Sequence, residues 1–129
     1  MAKRSLKRLT PLESLIMDAV WALAEATVRQ VRERLQPVKP MAYNTVLTVM
    51  RILREKGFLS SKRNGRTDVY RPAVSREQIA RRNLHEVLER FFAGSSRALV
   101  SQLIENEDLD AEEIRAIRRE VDSKLRSAR

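Results

Sequence analysis

Cysteine is absent from the 129 residues and histidine occurs once. The first absence excludes disulfides, thiolate metal sites and cysteine nucleophiles, and the second leaves little from which to build a histidine metal centre or a catalytic triad. No apolar run approaches the roughly 18 residues of a membrane-spanning helix. The basic start, Met1 to Arg8 followed by Leu9, Thr10 and Pro11, lacks the apolar core of a signal peptide. A phosphate-binding glycine loop, a nucleophile elbow and a catalytic carboxylate constellation are missing as well. These gaps argue against an enzyme and against membrane insertion. They leave a cytoplasmic binding protein without cofactor or metal, in one compact domain or a small domain with an oligomerisation tail.

What is present is basic charge, unevenly spread. Residues 1–74 carry 15 Lys and Arg against 6 Asp and Glu, which accounts for the whole net charge of +9, while residues 75–129 carry 11 of each. One half is thus built to meet a polyanion, and the other something neutral, such as another copy of itself.

The basic half reads as three helices and a hairpin. Thr10-Pro11-Leu12-Glu13 opens the first helix with a capping box and proline at the first helical position. Leu12, Leu15, Ile16, Ala19, Val20 and Leu23 then form one apolar stripe, ending near Ala24. Thr27 caps a short second helix with Val28, Val31 and Leu35 on one side, stopped before Pro37. The third helix runs from about Ala42 to Lys56 and ends at Gly57. After Gly57 the period changes, and Phe58–Arg63 and Thr67–Arg71 flank Asn64-Gly65, a dipeptide expected to supply positive φ at both central turn positions. The fold class is therefore mainly α with a small β-hairpin wing: a winged helix-turn-helix over residues 1–74.

Residues 75–129 read as a helical dimerisation region. Ser75-Arg76-Glu77-Gln78 is a capping box that opens a helix carrying Ala80, Leu84, Val87, Leu88 and Phe91 on one side and stopping at Gly94. A second helix, about Ser96 to Asn106, carries Leu99, Val100, Leu103 and Ile104. Asp110-Ala111-Glu112-Glu113 caps a third, whose Ile114, Ile117, Val121 and Leu125 make a narrow seam. Short helices with apolar stripes and no net charge are expected to bury those stripes on a partner.

If the third helix packs through Val46, Val49, Met50 and Leu53, its opposite face carries Asn44, Thr48, Arg51 and Glu55, with Leu47 and Ile52 on the flanks and Thr45 at the boundary. Asn can hydrogen-bond adenine, the Thr methyl can pack on thymine, and Arg can reach guanine or phosphate, so Asn44, Thr45, Thr48 and Arg51 are the candidate base readers. Lys3, Arg4, Lys7, Arg8, Lys39, Lys56, Lys62, Arg63 and Arg66 are candidate phosphate contacts, which set affinity and salt dependence. Tyr43 belongs either against the DNA backbone or at the helix entrance. Tyr70 reads as wing core and Trp21 as core or helix interface. His85 has no second ligand for a metal, and Glu105, Glu107, Asp108 and Asp110 lack the spacing of a calcium loop.

These residues resemble a known family. Leu12-Glu13-Ser14-Leu15-Ile16-Met17-Asp18-Ala19-Val20-Trp21, Ala26-Thr27-Val28-Arg29-Gln30-Val31, Ala42-Tyr43-Asn44-Thr45-Val46-Leu47-Thr48, Lys56-Gly57, Tyr70-Arg71-Pro72, Phe92-Ala93-Gly94-Ser95 and Ala98-Leu99-Val100 are similar, in order, to the penicillinase-repressor (BlaI/MecI) family of bacterial transcriptional regulators. The resemblance implies a homodimer held by its C-terminal helices on a near-palindromic double-stranded operator, blocking transcription. In antibiotic-responsive members a membrane metalloprotease sensor triggers cleavage in the dimerisation region. The corresponding bond here is near Gln102-Leu103, whose residues differ from the Asn-Phe type of those members. Copper-responsive members use a C-terminal cysteine cluster, which this chain lacks. The alternative from another class is a winged-helix adaptor that binds a protein through the third helix.

Overall fold

The computed structural model describes residues 8–128, so Lys3, Arg4 and Lys7 lie outside the described residues. Its elements are α1 (Pro11–Leu23), α2 (Val28–Leu35), α3 (Tyr43–Glu55), β1 (Leu59–Asn64), β2 (Thr67–Pro72), α4 (Arg76–Phe92), α5 (Ser96–Asn106) and α6 (Ala111–Ser127). The chain divides into two compact units, one ending at Leu84 and the other beginning at His85. The division falls inside α4, downstream of the change in charge at residue 74, because Ile79 is buried in the core of the first unit.

Helices α1, α2 and α4 begin where local side chains satisfy their free amides. At α1 the Glu13 amide donates to Thr10 Oγ1 at 3.1 Å and the Thr10 amide donates back to Glu13 Oε1 at 2.9 Å. Thr27 and Gln30 repeat this exchange at α2, and Ser75 and Gln78 at α4. A reciprocal cap of this kind stabilises a helix start by about 1 kcal/mol. At the other end of α3, Gly57 takes a φ of 93° while the Phe58 amide donates to the Leu53 carbonyl at 2.9 Å, which stops the helix and turns the chain into β1.

Ile16, Met17 and Val20 of α1, Val31 and Leu35 of α2, and Val46, Met50 and Leu53 of α3 meet Phe58, Leu59 and Tyr70 in one core. The buried face of α1 is wider than the expected stripe. Met17 and Glu13 are buried while Leu12, Leu15 and Leu23 are half-buried, because α1 packs against α2, α3 and β2 at once. Val46, Met50 and Leu53 face inward on α3 as the helical period predicts, with Val49 half-buried.

The hairpin corrects the expected turn. Asn64 pairs with Thr67, so Gly65 and Arg66 are the two turn residues, and Gly65 alone of the expected pair has positive φ, at 67°. Positive φ confined to the first central position is the mark of a type II′ turn, whereas positive φ at both Asn64 and Gly65 would have required type I′. The register is set from below. Burying Tyr70 and Leu59 on the core side places the strands, and the turn takes the residues left over.

In the second unit α5 and α6 bury none of their residues. Asp110 and Glu113 form the expected capping box of α6, and Ser95 Oγ caps α5 by accepting from the Ala98 amide at 3.1 Å. No helix among the described residues is long and apolar enough to cross a membrane.

Candidate nucleic-acid interface

Helix α3 presents an exposed face made of Asn44, Thr45, Thr48 and Arg51, with Ile52 beside them, opposite the buried Val46, Met50 and Leu53. Its N-terminus at Ala42 has no side-chain cap, in contrast to α1 and α2. The position of α3 is held by side chains that the charge count alone would assign to solvent. Arg32 Nε donates to the Met41 carbonyl at 2.9 Å and fixes the approach to α3. Arg54 Nη1 donates to Ser61 Oγ at 2.8 Å, with its guanidinium 5.7 Å from the centre of the Tyr70 ring, and fixes α3 against β1.

A further tie joins the start of α2 to the wing. The Ala26 amide donates to the Tyr70 carbonyl at 2.9 Å and the Tyr70 amide donates to the Ala26 carbonyl at 2.8 Å. This bridge sets Thr27, Val28 and Arg29 beside β2. The result is a groove of about 550 Å³ bounded by the first residues of α2, by α3 and by the wing. Arg29, Tyr43, Leu47, Arg51, Arg63 and Arg66 line it, together with Asp68 and Tyr70. Asp68 accepts from Arg63 Nη1 at 3.3 Å, leaving three arginines without a carboxylate in the groove. Arg29 approaches Glu33 only at 3.9 Å, with both side chains largely exposed. Tyr70 is fully buried, and among the described residues its hydroxyl has no hydrogen-bond partner.

The groove therefore gathers Tyr43, Arg51, Arg63 and Arg66 from the residues singled out in the sequence, and adds Arg29, which was not among them. The signal for Arg29 lies in a non-local strand bridge. Lys39, Lys62 and Arg8 are exposed elsewhere on the unit. Lys56 is engaged internally, donating from Nζ to Glu13 Oε2 at 2.8 Å. Trp21 is half-buried, and its Nε1 donates to the Val74 carbonyl at 3.0 Å.

The apolar side chains expected to dimerise lie mostly on the surface of the chain. Leu84 and Phe91 on α4, Leu103 on α5, and Ile114, Ile117, Val121 and Leu125 on α6 are all exposed, while Val87, Leu88 and Leu99 are half-buried. Gln102 and Leu103 sit within the helical run of α5, where the Gln102 carbonyl also accepts from Asn106 Nδ2 at 3.0 Å.

Three helices packed on a two-stranded hairpin, with an exposed third helix beside an arginine-lined groove, define a winged helix-turn-helix protein of the transcriptional-regulator class. Residues 9–123 match the family described as Penicillinase repressor, and the chain belongs to that family. It is 35% identical over 116 residues to the transcriptional regulator BlaI of Mycobacterium tuberculosis, covering 88% of this chain and 83% of that one. It is 25% identical over 111 residues to the penicillinase repressor of Bacillus licheniformis, covering 86% and 87% respectively. Among solved structures, the DNA-binding domain of the repressor BlaI superposes with a TM-score of 0.51 at 22% identity, over 56% of this chain and 88% of that one, a likeness of fold.

Proposed function

We propose that this protein is a DNA-binding transcriptional repressor that holds its operator as a homodimer. The observation that carries the reading is the placement of α3, its exposed polar face beside a groove lined by four arginines and, among the described residues, a single carboxylate, in the half of the chain that holds all the excess positive charge. Asn44, Thr45 and Thr48 face base edges in the major groove, and the arginines of the wing and of the groove hold phosphates. An adaptor binding a protein through α3 has no need of that charge.

Dimerisation supplies the rest of the affinity. One half-site contact is weak, but two joined through α4, α5 and α6 act at high effective concentration, so whatever opens the dimer releases the DNA. Two-fold symmetry makes the operator near-palindromic, with half-sites about 34–36 Å apart or a multiple of that. If a membrane metalloprotease sensor acts on this chain, the bond near Gln102-Leu103 must first leave the helical conformation of α5, since a protease reads extended backbone.

The test is binding of the full-length protein to the DNA upstream of its own gene and to a scrambled fragment, by fluorescence anisotropy over a salt series. Tight binding to the native fragment, weakening steeply with salt, is the expected outcome. Equal weak binding to both would reduce the protein to a basic nucleic-acid binder, and absence of binding would turn the reading to the adaptor.

A further inference from the structure

The two grooves of a duplex are separated by a single sugar-phosphate strand. A winged helix with α3 in the major groove and its wing at the neighbouring minor groove must pass that strand through the space between them. In this protein the space is the 550 Å³ groove. Its α3 wall is Tyr43, Leu47 and Arg51, one side chain per turn, whereas Asn44 and Thr48 on the same helix lie outside it. The exposed face of α3 is thereby split into a stripe that looks toward the wing and a stripe that does not.

Resting on the DNA-binding reading above, we infer that the groove seats one strand of DNA backbone, with Arg29 and Arg51 as phosphate ligands. Arg51 then contributes affinity in place of base choice, and Arg29 is a DNA contact supplied by α2. Three observations converge on this assignment. Among the described residues Arg51 and Arg66 have no ion-pair partner. The one carboxylate that lines the groove among the described residues, Asp68, is already engaged by Arg63, so the remaining arginines present net positive charge to the strand. Arg29 is held beside the wing by the Ala26–Tyr70 bridge, and its contact with Glu33 at 3.9 Å is exposed and easily exchanged for a phosphate. A guanidinium offers phosphate oxygens two parallel donors, which suits arginine to this seat. Tyr43 and Leu47 supply the apolar wall against which a deoxyribose can rest.

The experiment uses the full-length protein, a duplex that it selects from a random pool, and a scrambled duplex. Arg29→Ala and Arg51→Ala should weaken binding to both duplexes by a similar factor. Each should lower the slope of log affinity against log salt by about 1 per phosphate contact removed, hence about 2 in a dimer. Arg51→Lys should restore the slope, because the charge returns. A methylphosphonate at the seated position of each half-site should make the wild type behave like the variants. A loss on the selected duplex alone, with an unchanged slope, would overturn the assignment and return Arg51 to base reading. Unchanged binding by both variants would remove DNA from the groove. Repeating the wild-type series in sodium phosphate and sodium chloride at equal ionic strength separates the sources of phosphate. Equal binding supports a backbone seat, and selective competition by phosphate would replace it with a free-anion site. If the wild type binds no duplex, the DNA-binding reading itself fails, an outcome distinct from all of these.

Discussion

The Lys56 ammonium, at the end of α3, donates to the buried Glu13 carboxylate in the first turn of α1 at 2.8 Å. The other oxygen of the same carboxylate accepts from the Thr10 amide. One side chain therefore caps the first helix and pins the C-terminal end of α3.

That arrangement makes stability depend on pH. Burial pushes the Glu13 carboxyl up, but hydrogen bonds from Lys56 and the Thr10 backbone, with the Lys56 charge, outweigh it and hold the group below its ordinary value. A carboxyl depressed in the folded state stabilises the fold above its unfolded value and loses that contribution as pH falls through its folded value. Glu13→Gln should remove this part of the acid sensitivity and cost about 1–3 kcal/mol at neutral pH, since a donor pair loses its charged acceptor. Urea unfolding at a series of pH values reads both effects. An unchanged pH profile in the variant would show that Glu13 is not the titrating group.

Arg76, the first residue of α4, places its guanidinium 4.6 Å from the centre of the Trp21 ring and donates to Asp18 Oδ1 at 2.8 Å. Stacking of a partly exposed cation on an indole contributes about 0.5–1 kcal/mol. Arg76→Ala should destabilise the fold by that amount and shift the emission of Trp21, the sole tryptophan. Emission identical to the wild type would mean that the guanidinium does not rest on the ring in solution.

How much of this could be read from the chain depends on how local each cause is. The Thr10–Glu13, Ser75–Gln78 and Asp110–Glu113 caps involve residues three apart, and Gly57 stops α3 through its own φ, so the helix boundaries were legible. The exposed face of α3 followed from helical period and the burial of Val46, Met50 and Leu53. The hairpin turn slipped by one residue because the burial of Tyr70 and Leu59 fixes the register from outside the turn. The two roles of Glu13 were half legible: the cap is local, whereas Lys56 is 43 residues away. Arg29 was invisible as a site residue for the same reason, since the bridge that brings it to the wing joins Ala26 to Tyr70.

Thr48 lies exposed on α3 outside the groove, one turn beyond Asn44. On the proposed DNA-binding reading, its hydroxyl and methyl are offered to base edges in place of the backbone seat. Thr48→Ala should lower affinity for the selected duplex by about 1–3 kcal/mol while leaving the scrambled duplex and the salt slope unchanged. An equal loss on both duplexes would refute the base-reading role.

Ile114, Ile117, Val121 and Leu125 follow one another at intervals of three or four residues and are 41–62% exposed in the protomer, with Ile117 the least so. A shallow hollow of about 430 Å³ opens along Ile117, Val121 and Leu125. Because α6 buries none of its residues and Ile117 is 41% exposed, a charge there can stay in contact with water and leaves the winged helix intact. In a dimer the same charge would be driven into an apolar seam without a partner, at a cost of several kcal/mol. Ile117→Asp should therefore sediment as a monomer, unfold with an unchanged first-unit transition, and lose operator affinity by about 10²- to 10⁴-fold, the gain that linkage of two half-sites confers. A variant that remains dimeric in sedimentation would place the interface on another helix, and a monomer with full operator affinity would show that one winged helix suffices.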